Sequence, residues 1–152
     1  MVSKPRPVEI LDPMVEIEKG PALWMWDYLR RSGGSGYFLP LSGGADSAST
    51  AALVASMCKL VFESVTVDKN EETLKKIRKV VKDDKFYPKT FQDIVDQVFV
   101  TAYLGTTNSS EETLSRSKRL AEAIGAHHYN VNIDEAVAAI KNTFVKTTGK
   151  EP

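Results

Sequence analysis

The sequence has only one cysteine and no excess of charge of either sign. Cys58 is alone among 152 residues, which excludes an internal disulfide and favours a reducing compartment. It lies in the apolar run AALVASMCKLV, where a buried structural thiol is expected. Lysine plus arginine number 20, as do aspartate plus glutamate, so the net charge is zero. Nucleic-acid-binding proteins usually carry a basic excess, so we expect no nucleic-acid partner.

The sequence also lacks the hydrophobic segments that are typical of exported and membrane proteins. Its first residues, MVSKPRPVEILDP, contain no apolar core of a secretory signal. No uninterrupted apolar run approaches the roughly 20 residues of a membrane span. We therefore expect no membrane partner and a cytoplasmic location.

Hydrophobic periodicity predicts an α/β protein. Strand-like segments lie at about 37–41, 98–104 and 127–132. The helical segments around them are 20–32, 46–63, 68–97 with a break around Pro88, 108–125 and 134–146. Strands separated by helices predict βαβ crossovers, hence a parallel sheet with helices on both faces. Ligands of such sheets bind beyond the carboxyl ends of the strands.

Capping residues predict where the helices begin. The expected starts are Pro21 for the first helix, Ser109 with Glu112 as a capping box, and Asp134 for the last helix. Residues 1–15 contain three prolines among charged residues and no clear period, so they are predicted to be an extended leader or linker. Residues 16–152 then form the folded domain.

The stretch LPLSGGADSAS follows the first predicted strand and has almost no bulky side chains. Gly43 and Gly44 allow a tight turn that brings backbone N–H groups close to a ligand. With the helix start at Asp46 and Ser47, these groups form a cluster of donors with partial positive charge. Ser42 and Ser47 add hydroxyl groups. This combination favours a polyphosphate as the ligand.

Asp46 indicates that a cation accompanies the phosphates. A carboxylate repels phosphate unless a cation lies between them, and Mg²⁺ binds one or two carboxylates together with phosphate oxygens. The alternative is that Asp46 and Ser47 only cap the helix and that the glycines only form a tight turn. The stretch has neither the G-x-x-x-x-G-K-[ST] pattern of the Walker loop nor the G-x-G-x-x-G pattern of dinucleotide-binding proteins.

The segment SGGADS resembles the S-G-G-x-D-S signature of the ATP pyrophosphatases, or PP-loop enzymes, which cleave ATP between its α- and β-phosphates. The flanking segments GPALWMWDYLRRSGGSGYFLP and YLGTTNSSEETLSRSKRLAEAIGAHHYNVNIDEAVAAI resemble the synthetase domain of the eukaryotic-type glutamine-dependent NAD⁺ synthetases. The resemblance runs from about Glu16 to the end. It implies an adenine nucleotide alpha hydrolase-like fold and ATP-dependent amidation of deamido-NAD⁺ through an adenylated intermediate, with ammonia from glutamine.

The resemblance also implies roles for single residues. Ser42 falls on the family's active-site serine, and hydrogen bonding to phosphate suits it better than nucleophilic attack, because no base adjoins it in sequence. Asp46 falls on the Mg²⁺-binding acid. The adenine is expected near Leu104–Asn108. The implied ATP-binding loop comprises Pro40, Leu41, Ser42, Gly43, Gly44, Ala45, Asp46 and Ser47.

The family's enzymes have further parts that this sequence does not resemble. They carry an N-terminal nitrilase-like glutaminase domain, and their synthetase domain continues beyond TGKEP with a second metal carboxylate. We therefore expect a fragment, inactive alone, of a homo-oligomeric enzyme. One alternative is another PP-loop adenylating enzyme, such as a tRNA-modifying protein, although the neutral charge and single cysteine do not favour it. The other is a non-catalytic nucleotide-binding fragment.

Overall fold

The structure, a computed structural model, describes residues 10–152. The predicted order of helices and strands is confirmed, with two helices where one broken helix was expected around Pro88. Residues 1–9 of the predicted leader lie outside the described residues, and the division into 1–15 and 16–152 stays a prediction. The elements are α1 (Pro13–Ser32), β1 (Tyr37–Pro40), α2 (Ala45–Thr66), α3 (Glu71–Val81), α4 (Phe91–Val98), β2 (Phe99–Gly105), α5 (Glu111–Ile124), β3 (His127–Asn132) and α6 (Asp134–Thr148).

The three strands form a parallel sheet in the order β1-β2-β3. Tyr37 pairs with Phe99 between β1 and β2, and Val100 pairs with His127 between β2 and β3. This confirms the predicted βαβ crossovers. Because the strands are parallel, their carboxyl ends and the loops that follow them lie at one edge of the sheet.

Helices cover one face of this sheet. Phe99 is fully buried there, and Tyr37 and Leu39 pack against the same hydrophobic core, to which α2, α4 and α5 contribute. The side chains that alternate with these lie on the other face, and its exposed apolar members are Phe38, Leu104, Tyr129 and Val131. The predicted parallel α/β sheet is confirmed. The predicted helices on both faces are not found within residues 10–152, where helices cover one face and the other keeps exposed apolar side chains.

Helix α2 is the central helix of the core. It contacts α1, α3, α4, α5 and β1, and its buried side chains are Ala51, Val54, Met57, Cys58, Val61 and Val65. By length and composition alone α2 could also cross a membrane, so the expectation that no segment has that character is wrong for this helix. Since α2 packs against four helices and a strand, we interpret it as a core helix.

Cys58 has the structural role that its sequence context predicts. The side chain is fully buried on α2. Burial raises the pKa of the Cys58 thiol to about 12. The thiol therefore stays protonated at neutral pH, and a protonated thiol is a poor nucleophile.

The first helix begins earlier than the sequence predicts. Helix α1 starts at Pro13, because the Asp12 carboxylate accepts the backbone N–H of Met14 at 2.9 Å and caps this start. Pro21 lies inside the helix, where a proline removes one backbone hydrogen bond. The prediction that Pro21 opens the helix is wrong because a second proline, eight positions earlier, has a capping residue before it.

The predicted starts of α5 and α6 are also wrong. The N-cap of α5 is Ser110, whose hydroxyl accepts the backbone N–H of Glu112 at 3.2 Å, so Ser109 forms no capping box. The N-cap of α6 is Ile133, whose own side chain makes no capping hydrogen bond. Asp134 is the first helical residue, and its carboxylate binds a neighbouring loop instead.

His128 on β3 is held as a neutral imidazole. The Thr101 hydroxyl donates to the His127 carbonyl at 3.0 Å, so it accepts the Nδ1 proton of His128 at 2.9 Å. Nε2 of His128 is then an unprotonated nitrogen, buried without a partner among the described residues. Burial lowers the pKa of His128; Glu122 acts against this shift, and Lys118 adds to it.

We expect the free energy of unfolding to fall as the pH drops below about 6.5, the ordinary pKa of histidine. The unfolded chain then binds a proton that folded His128 resists, whereas above this pH both states are neutral and the contribution is complete. His128→Asn keeps a donor near Nδ1 but does not titrate, so its urea midpoint should depend less on pH between 7.5 and 5. His127→Asn, at the exposed neighbour, is the control. An unchanged pH dependence in His128→Asn would contradict the assignment.

Candidate functional site

The glycine loop connects the carboxyl end of β1 directly to α2. Leu41 is fully buried, and its N–H donates to the carbonyl of Ala102 on β2 at 2.8 Å, which anchors the loop to the sheet. Gly44 is the N-cap of α2, and among residues 10–152 no side chain caps this helix. The predicted loop, residues 40–47, therefore contains the end of β1, a turn and the first residues of α2. Its uncapped helix start offers backbone N–H donors to an anion.

Gly43 has the turn conformation and the close contact that only glycine permits. Its φ is 79°, in the left-handed region. A Cβ at this position would lie 2.3 Å from the backbone oxygen of Thr113 on α5. The loop thus lies directly against the backbone of α5.

The two serines of the loop lie together, as the sequence predicts. Their Oγ atoms are 3.0 Å apart, the N–H of Gly44 donates to Ser42 Oγ at 3.3 Å, and Ser47 Oγ donates to the Gly44 carbonyl at 3.1 Å. The two histidines of the chain are on β3, where they contact Asp96 and Thr101. No imidazole contacts Ser42 within the described residues, so the structure provides no base beside its hydroxyl that would activate it as a nucleophile.

Asp46 is exposed in the first turn of α2. Its carboxylate has no hydrogen bond or ion pair within residues 10–152. Gly44 holds the N-cap position, and Ser47 bonds a carbonyl and not an N–H group. The part of the alternative in which Asp46 and Ser47 cap the helix is therefore wrong, whereas the tight turn at the glycines is present.

These groups fit Mg²⁺ that is shared with phosphate. Mg²⁺ keeps several waters and binds through one or two carboxylates and substrate phosphates, which suits a single free carboxylate beside two hydroxyls. Over residues 10–152, His, Cys, Asp and Glu side chains form no cluster of three or more that could hold a metal. A cation at Asp46 would accordingly depend on the phosphate oxygens of the nucleotide.

Two arginines beside the loop are missed by the sequence reasoning. Beside the contact between Gly43 and Thr113 lies a groove of about 370 Å³, lined by Arg116 and Arg119 of α5 and by Gly43, Gly44, Ala45 and Ala48 of the loop and the start of α2. Arg116 also pairs with Glu112, one turn earlier. The available signal was the i, i+3 spacing of the arginines, which places them on one helix face. The two arginines add full positive charges beside a loop whose other groups that could attract an anion are backbone N–H groups.

A second cavity, of about 260 Å³, lies where β2 and β3 end, on the other side of the start of α5. Of the range 104–108 in which adenine was expected, Gly105 and Thr106 line the cavity, whereas Leu104 lies on the opposite face of the sheet. The remaining lining residues are Tyr103, Ser109, Ser110, Glu111, Leu114, Asn130 and Asn132. The cavity is therefore rich in hydroxyl, amide and carboxylate groups.

The chain matches known proteins over nearly its full length. A sequence model of the family described as NAD synthase matches residues 19–151. The glutamine-dependent NAD(+) synthetase of Saccharomyces cerevisiae is 45% identical over 141 residues, which cover 92% of this chain and 20% of that protein. The enzyme of the same name from Homo sapiens is 44% identical over 151 residues, which cover 99% of this chain and 21% of that protein. The chain thus spans about a fifth of these relatives.

Solved structures have the same fold. The glutamine-dependent NAD(+) synthetase of Cytophaga hutchinsonii superposes with a TM-score of 0.77 at 31% identity, covering 93% of this chain and 25% of that one. The enzyme from Acinetobacter baumannii, solved with ADP, gives a TM-score of 0.64 at 20% identity, covering 97% and 21%. At that identity the second likeness shows the fold alone. Because the family model covers most of the described residues, the chain belongs to the NAD synthase family.

Proposed function

We propose that this chain is the nucleotide-binding part of an enzyme that amidates deamido-NAD⁺ to NAD⁺ at the expense of ATP. One observation carries the proposal. The loop turns on Gly43 at the end of β1 and presents the Ser42 and Ser47 hydroxyls, the uncapped start of α2 and the free Asp46 carboxylate at one place. Hydrogen-bond donors and one unpaired carboxylate match a polyphosphate with its cation.

In this function the loop binds the β- and γ-phosphates of ATP. The carboxylate of deamido-NAD⁺ attacks the α-phosphorus, pyrophosphate leaves, and ammonia then displaces AMP from the acyl-adenylate. Ser42 and the N–H groups of the loop stabilise the charge that develops on the departing pyrophosphate. Asp46 would hold Mg²⁺, which supplies further positive charge there when bound. The cavity at Gly105 and Thr106 would receive the adenosine.

The relatives' names support glutamine as the source of ammonia. A glutaminase domain in the parent chain, a homo-oligomeric assembly and a cytoplasmic location belong to this same proposal. The neutral net charge and the single, buried cysteine support a reducing compartment and a small-molecule substrate.

Calorimetric titration of the 152-residue chain tests the nucleotide part of the proposal. ATP with Mg²⁺ should bind, and pyrophosphate should compete with it, whereas AMP should bind more weakly because it lacks the phosphates that contact the loop. A second assay uses a protein with the complete synthetase domain and measures the exchange of radioactive pyrophosphate into ATP. If this exchange requires deamido-NAD⁺, the enzyme adenylates deamido-NAD⁺ and not the substrate of another PP-loop enzyme. We expect no NAD⁺ from the 152 residues alone. Absence of ATP binding would contradict the proposal.

A further inference from the structure

The loop that follows β2, residues Thr106–Ser109, is connected to the start of α6. The carboxylate of Asp134 accepts the backbone N–H of Thr107 at 3.0 Å through Oδ2, across 27 residues of sequence. The same oxygen accepts the side-chain amide of Asn132 at 3.0 Å, and Asn132 Oδ1 in turn accepts the N–H of Asp134 at 2.8 Å. Asp134 therefore joins two loops at the carboxyl edge of the sheet.

Every backbone N–H group of this loop has an acceptor. The N–H of Thr106 donates to Ser109 Oγ at 2.8 Å, that of Asn108 to Thr106 Oγ1 at 3.3 Å, and that of Ser109 to the Thr106 carbonyl at 3.0 Å. Thr107 is the one residue of the four whose N–H is bound by a side chain from outside the loop. The loop's own residues fix its internal shape, and Asp134 fixes its position relative to β3.

We infer that Asp134 is a positioning residue for nucleotide binding. It does not line the cavity at the ends of β2 and β3, but it holds Thr107, which adjoins the cavity-lining Thr106. Asn132, its other partner, lines the same cavity. An ordered loop loses less conformational entropy when a ligand binds. The inference rests on the proposed function, because the ligand is the adenosine part of ATP.

The location of Asp134 in the first turn of α6 gives it an additional, merely structural effect, since an acid there interacts favourably with the helix dipole. Glu135 is the adjacent acid of that turn and has the same effect, but its side chain makes no hydrogen bond within the described residues. A comparison of Asp134→Ala with Glu135→Ala therefore separates the two hydrogen bonds of the Asp134 carboxylate, to Thr107 and to Asn132, from the helix-dipole effect. Asp134→Asn keeps an acceptor oxygen and tests rescue by a conservative change.

The test combines amide hydrogen exchange by NMR with titration of ATP in the presence of Mg²⁺, on the 152-residue chain. Asp134→Ala should lose protection of the Thr107 amide and bind ATP about tenfold more weakly, as expected for a lost hydrogen bond to a charged group. Asp134→Asn should recover most of both effects. Glu135→Ala should bind ATP as the unsubstituted chain does and should keep the protection of Thr107.

The outcomes separate the inference from the function. If the unsubstituted chain binds ATP and Asp134→Ala binds it equally well, the positioning role is overturned and the proposed function stands. Retained protection of Thr107 in Asp134→Ala would overturn the contact itself. If Asp134→Ala and Glu135→Ala both bind ATP tenfold more weakly, the interaction of an acid with the helix dipole explains the result, and the inference is overturned. An unsubstituted chain that binds no ATP overturns the proposed function and, with it, the inference.

Discussion

Replacement of Asp46 by asparagine is expected to abolish the Mg²⁺ dependence of ATP binding. The Asp46 carboxylate is exposed in the first turn of α2 and forms no hydrogen bond or ion pair within residues 10–152. Loss of a group that only orients a metal ligand already costs 10- to 100-fold in metal affinity, so loss of the ligand itself should cost at least about tenfold. Titrations of ATP with Mg²⁺ and with EDTA, on both chains, measure the effect. The two curves should coincide for Asp46→Asn.

The same change should leave the fold almost unaffected, because surface substitutions outside special features usually alter stability by less than about 0.5 kcal/mol. Glu71→Gln is a matched control, since Glu71 is also an exposed acid in the first turn of a helix, α3. It removes the same charge without touching the loop and should keep the full Mg²⁺ effect. If ATP binding to the Asp46→Asn chain still depends on Mg²⁺, the cation binds at residues other than Asp46.

Replacement of Gly43 by alanine should have the largest effect on stability. The left-handed conformation costs an L-residue about 1–2 kcal/mol, and the added Cβ would lie 2.3 Å from the Thr113 oxygen, which is backbone and cannot rotate away. Overpacking of this kind adds about 1–3 kcal/mol. We therefore expect Gly43→Ala to lower the free energy of unfolding by roughly 2–5 kcal/mol, measured by urea denaturation, and to abolish ATP binding.

Two other glycines provide controls for this result. A Cβ on Gly44, one residue later, would meet only the Ser42 hydroxyl at 3.4 Å, and φ there is −88°. Gly44→Ala should therefore cost less than about 1 kcal/mol. Gly20 lies inside α1 with nothing within 4 Å, so Gly20→Ala should stabilise the chain by about 0.5–1 kcal/mol. If Gly43→Ala and Gly44→Ala were equally stable, the close approach to α5 would be refuted.

The parts of the site that are contiguous in sequence could be predicted from it. Residues 40–47 form one strand end, one turn and one helix start, so their neighbours in space are largely their neighbours in sequence. Arg116 and Arg119 could not be predicted, because they reach the loop only through the packing of α5 against Gly43. The bond between Asp134 and Thr107 spans 27 residues, and no local pattern indicates it.

The errors at helix starts have a different cause. Several residues near each helix start have side chains that can cap a helix, and the sequence does not show which of them does so. Ser109 and Ser110 are adjacent, and the structure uses Ser110 as the cap while Ser109 accepts the N–H of Thr106. Asp134 has a capping side chain, but the N–H of Thr107 is the donor that lies within its reach. Tertiary contacts decide which N–H group a given acceptor side chain binds, and residue propensities carry no information about these contacts.

The order of the strands also affects the order in which the chain folds. Tyr37 on β1 pairs with Phe99, 62 residues later, whereas Val100 on β2 pairs with His127, only 27 residues later. Closing the longer loop costs about 0.7 kcal/mol more entropy, so the β2–α5–β3 unit is expected to form before β1 joins it. In pulsed hydrogen exchange during refolding, the β3 amides should gain protection before that of Leu41. The glycine loop, which directly follows β1, would then be among the last parts of the molecule to form.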